Sequence, residues 1–199
     1  PATANGFGNF AGEAFGTIPF REAFYRSCNT AFIIQAGLLP DGALQASADQ
    51  FGFNVAYDIG IDSVGGSFPE PETQADLLAA SIGQGKVTAS PLHMASVAAA
   101  VKSGAWRAPT LIHGDQAPER PEPVPIDDEI RDTLDEMMHQ VVTVGTGTNA
   151  AVPGRDVGGK TGTAEFGPED PPETHAWFIG FSEDIAFACL VEGGGLDDQ

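Results

Sequence analysis

The chain has 199 residues, enough for one domain with a sizeable core. Its 28 acidic residues outnumber nine Lys and Arg and give a net charge of −19. That balance excludes nucleic acid and anionic membrane surfaces as partners, because phosphates would be repelled.

Residues 1–16, rich in Gly, Ala, Asn and Phe, read as an irregular lead-in. Thr17 offers an N-cap hydroxyl, with Pro19 in the first turn of the helix that follows. Phe20, Ala23 and Phe24 make one apolar face, and Ala31, Phe32 and Gln35 continue it past Ser27-Cys28-Asn29. A second helix is expected from Asp41, as cap, to Phe53, with Leu44, Ala48 and Phe51 on one side. Residues 54–72 hold Gly60, Gly65, Gly66, Pro69 and Pro71 and read as a long connection. Thr73 caps a short helix that ends at Gly83-Gln84-Gly85. Ser90-Pro91 opens the clearest helix, which Gly104 stops. The prolines between Pro118 and Pro125 exclude regular structure there. A helix then starts at Asp127 or Asp128 and buries Met137 and Met138.

The pattern next changes to strands: Val157 to Thr163, Ala176 to Phe181, and Ile185 to Val191. Ser182-Glu183-Asp184 joins the last two as a hairpin. Helices first and an antiparallel sheet last predict an α+β fold.

Cys28 and Cys189 belong to no CxxC pair, and His93, His113, His139 and His175 have no metal-ligand spacing. Cys28 reads as a small buried filler, His175 as an exposed loop residue, and Gly83-Gln84-Gly85 as a structural turn. The informative stretch is Gly159-Lys160-Thr161-Gly162-Thr163, read with Ser27-Cys28-Asn29. Lys160 supplies fixed positive charge, and the Thr161 and Thr163 hydroxyls can hold a carboxylate. Gly162 has no Cβ, so a ligand backbone can lie against the strand. Ser27 can relay a proton, and the Asn29 amide can both donate and accept.

These two elements resemble the Lys-Thr-Gly and Ser-x-Asn motifs of penicillin-binding proteins and serine β-lactamases. The similarity extends in order along the chain. Phe20 to Phe32 resembles the family's stretch around Ser-x-Asn. Ile82 to Gly85 with Thr88 to Leu92 resembles its glycine-glutamine-glycine turn and next helix. Val144 to Thr148 resembles the approach to Lys-Thr-Gly, and Trp177 to Phe181 the strand after it. Residues 1–199 are therefore identified as a partial transpeptidase domain of the class B, monofunctional penicillin-binding proteins.

The resemblance implies catalytic roles for Ser27, Asn29 and Lys160, and substrate binding at Thr161, Gly162 and Thr163. The Thr163 N–H would be one oxyanion donor. It implies no metal or organic cofactor. Substrates would be D-Ala-D-Ala stem peptides of peptidoglycan, and β-lactams would acylate the enzyme. The parent protein would be membrane-anchored and act on the extracytoplasmic face. The family's nucleophilic Ser-x-x-Lys is absent: the lysines are Lys86, Lys102 and Lys160, and three residues before them stand Gly83, Ala99 and Val157. The chain is expected to be truncated before that motif and after its last strand, leaving a three-stranded remnant of the family's sheet. Ile185 to Val191 would then have a bare edge, open to a second copy or to a complementary fragment of the parent. Two other functions stay open: a serine β-lactamase, and a non-catalytic penicillin-recognition, sensor or partner-binding domain.

Overall fold

The computed structural model of the chain describes residues 1–168 and 172–194. A two-residue hairpin opens it, with β1 (Thr3–Ala4) paired to β2 (Phe7–Gly8). The expected first helix is split in two: α1 (Phe20–Tyr25) and α2 (Asn29–Ala36). Thr17 does not cap α1; Pro19 stands at that position and makes no side-chain cap bond. The split falls at Ser27, whose φ of 55° lies in the left-handed region and cannot continue a right-handed helix.

Helix α3 (Ala43–Gln50) is shorter than expected. Its cap is Gly42 in the left-handed conformation, not Asp41, and the chain leaves the helix at Phe51. The long connection carries β3 (Gly66–Ser67). Helix α4 (Gln74–Ala80) begins with a full capping box between Thr73 and Asp76. Strand β4 (Thr88–Ala89) pairs with β3. Helix α5 (Pro91–Ser103) has Ser90 as N-cap, Pro91 in its first turn and left-handed Gly104 as its stop.

Strand β5 (Ala105–Trp106) pairs with β6 (Val124–Pro125), so the proline-rich segment is not wholly irregular. Proline is tolerated there because the two-residue strand stands at a sheet edge. Helix α6 (Asp128–Thr143) is capped by Asp127. Three long strands finish the described chain: β7 (Val157–Phe166), β8 (Glu173–Ser182) and β9 (Ile185–Val191). They form one antiparallel sheet in the order β7-β8-β9, with Gly162 opposite Trp177 and Gly180 opposite Phe187. Strands β7 and β8 run longer than the apolar pattern predicts because they extend past the core into half-exposed positions.

Helix α6 packs on β7, and α5 packs on β8 and β9. Ala98 and Val101 of α5, Met138 of α6 and Phe181 of β8 form the central core. A second cluster surrounds fully buried Trp106, and a third joins α2 to α4 through Ile33, Ala36 and Leu78. The third cluster ties the Ser27 region to the Gln84 turn, and the first anchors the sheet that carries Lys160. No helix of the described residues is long and apolar enough to cross a membrane.

Candidate active site

Ser27 sits in the break between α1 and α2. Its N–H donates to Phe24 O, and the Cys28 N–H donates back to Ala23 O at 2.8 Å. These bonds close a tight turn that points the chain into α2. Cys28 is buried and its Sγ lies 3.4 Å from Thr30 Oγ1, so it fills space as expected. A left-handed serine is a strained conformation, and the surrounding turn holds it there.

Lys160 comes from β7, 133 residues further along the chain. Its Nζ donates to Ser27 Oγ at 2.8 Å and to its neighbour's carbonyl, Thr161 O, at 2.8 Å. The ammonium also lies 5.8 Å from the Phe24 ring centroid. Among the described residues it has no ion-pair partner. Burial lowers its pKa from 10.5 to about 8, because desolvation penalises the charged form.

The Thr161 hydroxyl lies 2.6 Å from that of Thr146, which in turn bonds Tyr25 O. A Cβ at Gly162 would lie 3.3 Å from Trp177 Cβ, so glycine there relieves crowding across the sheet as well as clearing the strand face. Gly159 and Gly158 meet the Phe178 and Phe181 rings. These glycines let β7 lie close to the aromatic face of β8.

Ser27, Asn29, Lys160, Thr161, Gly162 and Thr163 line one open cavity of about 480 Å³. All six residues singled out in the sequence therefore come together. The Asn29 Nδ2 donates to Gly8 O at 3.1 Å, which ties α2 to the opening hairpin. The segment from Gly8 to Ala11 forms a further wall of the cavity. Sequence alone gave no sign of that wall, since residues 1–16 lack periodicity.

Two further residues stand out. Thr146 orients Thr161; the Gly145-Thr146-Gly147 stretch carried a family resemblance but no assigned role. Gln84 lines the cavity, and its amide bonds Thr163 O at 2.9 Å and the Glu165 N–H at 3.3 Å. The turn is structural as expected, but it reaches the site's own strand. His175 lies on β8 rather than in a loop; it stacks on Phe166 at 4.0 Å and accepts from the Gly193 N–H.

The family model for the penicillin binding protein transpeptidase domain matches residues 5–199. The chain is 33% identical over 207 residues to the peptidoglycan D,D-transpeptidase PbpA of Mycolicibacterium smegmatis, covering 94% of this chain and 42% of that protein. It is 26% identical to the peptidoglycan D,D-transpeptidase MrdA of Acinetobacter baumannii, covering 98% of this chain and 34% of that one. The chain thus spans less than half the length of these relatives. Among solved structures, penicillin-binding protein A of Mycobacterium tuberculosis, in its penicillin G acyl-enzyme complex, matches with a TM-score of 0.80 and 28% identity. That match covers 98% of this chain and 48% of the other. The D,D-transpeptidase domain of a peptidoglycan glycosyltransferase from Eggerthella lenta matches with a TM-score of 0.82 and 25% identity over 94% of this chain and 52% of its own. The motifs, their convergence on one cavity and these matches agree, and the chain belongs to the penicillin-binding protein transpeptidase domain family, with the penicillin-binding, β-lactamase-like fold.

Proposed function

We propose that residues 1–199 are the substrate-gripping and proton-relaying part of a peptidoglycan D,D-transpeptidase domain, one that crosslinks stem peptides and binds β-lactams. The observation that carries this reading is the 2.8 Å bond from Lys160 to Ser27 at a cavity also lined by Thr161 and Thr163. Acyl transfer at a D-Ala-D-Ala carbonyl needs a nucleophile, a proton shuttle, an oxyanion hole and a hold on the substrate. Lys160 and the Thr161 and Thr163 hydroxyls would hold the terminal carboxylate. The Thr163 N–H would donate to the oxyanion, and Ser27, poised by Lys160, would pass a proton to the leaving nitrogen. Asn29 would keep α2 and the cavity wall in register.

The nucleophilic Ser-x-x-Lys is not in these 199 residues. It would be supplied by a segment upstream in a longer, membrane-anchored parent acting on the extracytoplasmic face. Intact-mass analysis after incubation with penicillin G tests this. The chain alone is expected to stay unmodified, whereas the parent gains one penicilloyl mass. A stoichiometric adduct on the chain alone would point to a different nucleophile and overturn the assignment. A parent that carries no Ser-x-x-Lys and stays unlabelled would favour non-catalytic recognition, and rapid loss of the adduct from the parent would favour a β-lactamase.

Strand β9 pairs with β8, and among the described residues its other edge has no strand partner. Ile185 and Val191 are 65% and 58% exposed. An apolar edge with free N–H and C=O groups recruits another strand, so the chain is proposed to associate there with a second copy or a fragment of the parent. A single monomeric species in sedimentation at high micromolar concentration would exclude this.

A further inference from the structure

We infer that Arg107 and Arg120, which line one groove with Glu122, form a binding site for a small monocarboxylate with an apolar body. The groove shares no residue with the cavity around Lys160.

The chain sets nine Lys and Arg against 28 acids, so a cation finds a carboxylate easily. Arg21, Arg26, Lys86, Lys102, Arg131 and Arg155 each do so. Among the described residues, the three cations left without a carboxylate are Lys160, Arg107 and Arg120. Lys160 lines the candidate active site, and the two arginines meet in this second groove. Glu122 lines the groove too, yet it pairs with neither arginine. Two guanidinium groups on one groove repel each other, and an anion between them relieves that repulsion.

The fold brings the arginines together from separate segments. Trp106 of β5 is fully buried, so by alternation Arg107 faces outward and Ala108 inward, where it is buried. Trp106 pairs with Val124 and Ala105 with Pro125, which lays the segment before β6 alongside Arg107 and Ala108. The Ile126 N–H donates to Gly104 O at 2.9 Å and Gln50 Nε2 donates to Pro125 O at 3.0 Å, so the pairing is also held at its far end. Pro121 and Pro123 fix their own φ and lack N–H groups, so this wall is stiff and apolar. Arg107 is preset: its Nη1 donates to Ser103 Oγ at 3.2 Å and to Ala105 O at 3.3 Å. The Nε–Nη2 edge of its fork is left for a ligand.

Charge and size select the ligand. Two arginines against one glutamate leave the lining with one positive charge in excess, which matches a monoanion better than a phosphate dianion. A guanidinium fork takes a carboxylate in two parallel N–H···O bonds. The groove holds about 370 Å³, more than a carboxylate fills, and Ala108, Pro121 and Pro123 give the rest of the ligand an apolar wall. The net charge of −19 repels polyanions.

The test uses the 199-residue chain and follows the Arg107 and Arg120 Nε–H resonances with N-acetyl-L-leucine. Both are expected to shift together and saturate, whereas N-acetyl-L-leucinamide, which lacks the charge, should shift neither. Arg107→Gln and Arg120→Gln, each read at the arginine that remains, are expected to weaken binding about fivefold or more, and Glu122→Gln to tighten it about twofold. Inorganic phosphate is expected to bind at least about fivefold more weakly than the acid. Lys160→Met is expected to leave the affinity read at the two arginines unchanged. Equal shifts with acid and amide overturn the site, and so does loss of the shifts in Lys160→Met, which would place the ligand in the other cavity. Phosphate as tight as the acid overturns the choice of a monocarboxylate. Should either arginine variant lose its backbone amide spectrum, the amide control and Glu122→Gln still decide: unchanged or weaker binding in Glu122→Gln overturns the inference.

Discussion

At the scale of single residues, the cavity is centred on one partly buried cation. Lys160 has a pKa of about 8, well below that of a free lysine, because burial penalises its charge. A carboxylate ligand needs the protonated form. Affinity for such a ligand should therefore fall as pH rises through 8, by roughly tenfold between pH 7 and pH 9, and Lys160→Met should bind weakly with a flat profile. Titration of N-acetyl-D-Ala-D-Ala by amide shifts across that range checks it; a pH-independent wild type would show that the ammonium does not hold the anion. Unliganded stability moves the other way. The unfolded lysine keeps its proton to about 10.5, so the cost of burying the charge is relieved between pH 8 and that value. Lys160 and Ser27 could be named from sequence because their motifs are local strings. The left-handed φ of Ser27 could not, because serine ordinarily avoids that region and only the turn between α1 and α2 imposes it.

At the scale of elements, α4, α5 and α6 begin at the caps expected of them because Thr73, Ser90 and Asp127 each satisfy backbone N–H groups within a few residues. Local chemistry is sufficient at such ends. Helix α3 departs because Gly42, rather than Asp41, takes up the entry turn. Strand β7 depends on its glycines. A Cβ at Gly159 would collide with the Phe178 ring and with Ile179 O. Gly159→Ala should cost about 1–3 kcal/mol by overpacking, and it should shift β7 relative to β8 next to Lys160. Urea unfolding measures the first effect. A variant as stable as the wild type would mean that β8 yields more readily than its packing implies.

At the scale of the whole molecule, the buried polar groups set the acid limit. His93 is completely buried under Gly66 and against Phe53, and neither ring nitrogen has a hydrogen-bond partner among the described residues. Desolvation lowers its pKa from 6.5 to about 4. The unfolded chain therefore binds a proton that the folded chain refuses between those values. The stability contribution is whole above pH 6.5 and is lost as pH falls toward 4, by up to about 3 kcal/mol. His93→Phe should flatten the dependence of the urea midpoint on pH in that window. Equal slopes in the two proteins would place the acid sensitivity elsewhere, among the surface carboxylates.

The sequence by itself determined the α+β class, the principal helices, the three final strands and six of the residues that line the cavity. Caps, periodicity and short motifs are written in neighbouring residues, so they survive without knowledge of the fold. Only the tertiary structure decided that Asn29 is tied to Gly8, that Thr146 holds Thr161, and that Gln84 reaches across to Thr163 and Glu165. Each of these joins segments far apart in sequence through a polar side chain that has no periodic signature. Their partners are chosen by how α2, α4 and β7 pack against common neighbours, and no local string of residues records that choice.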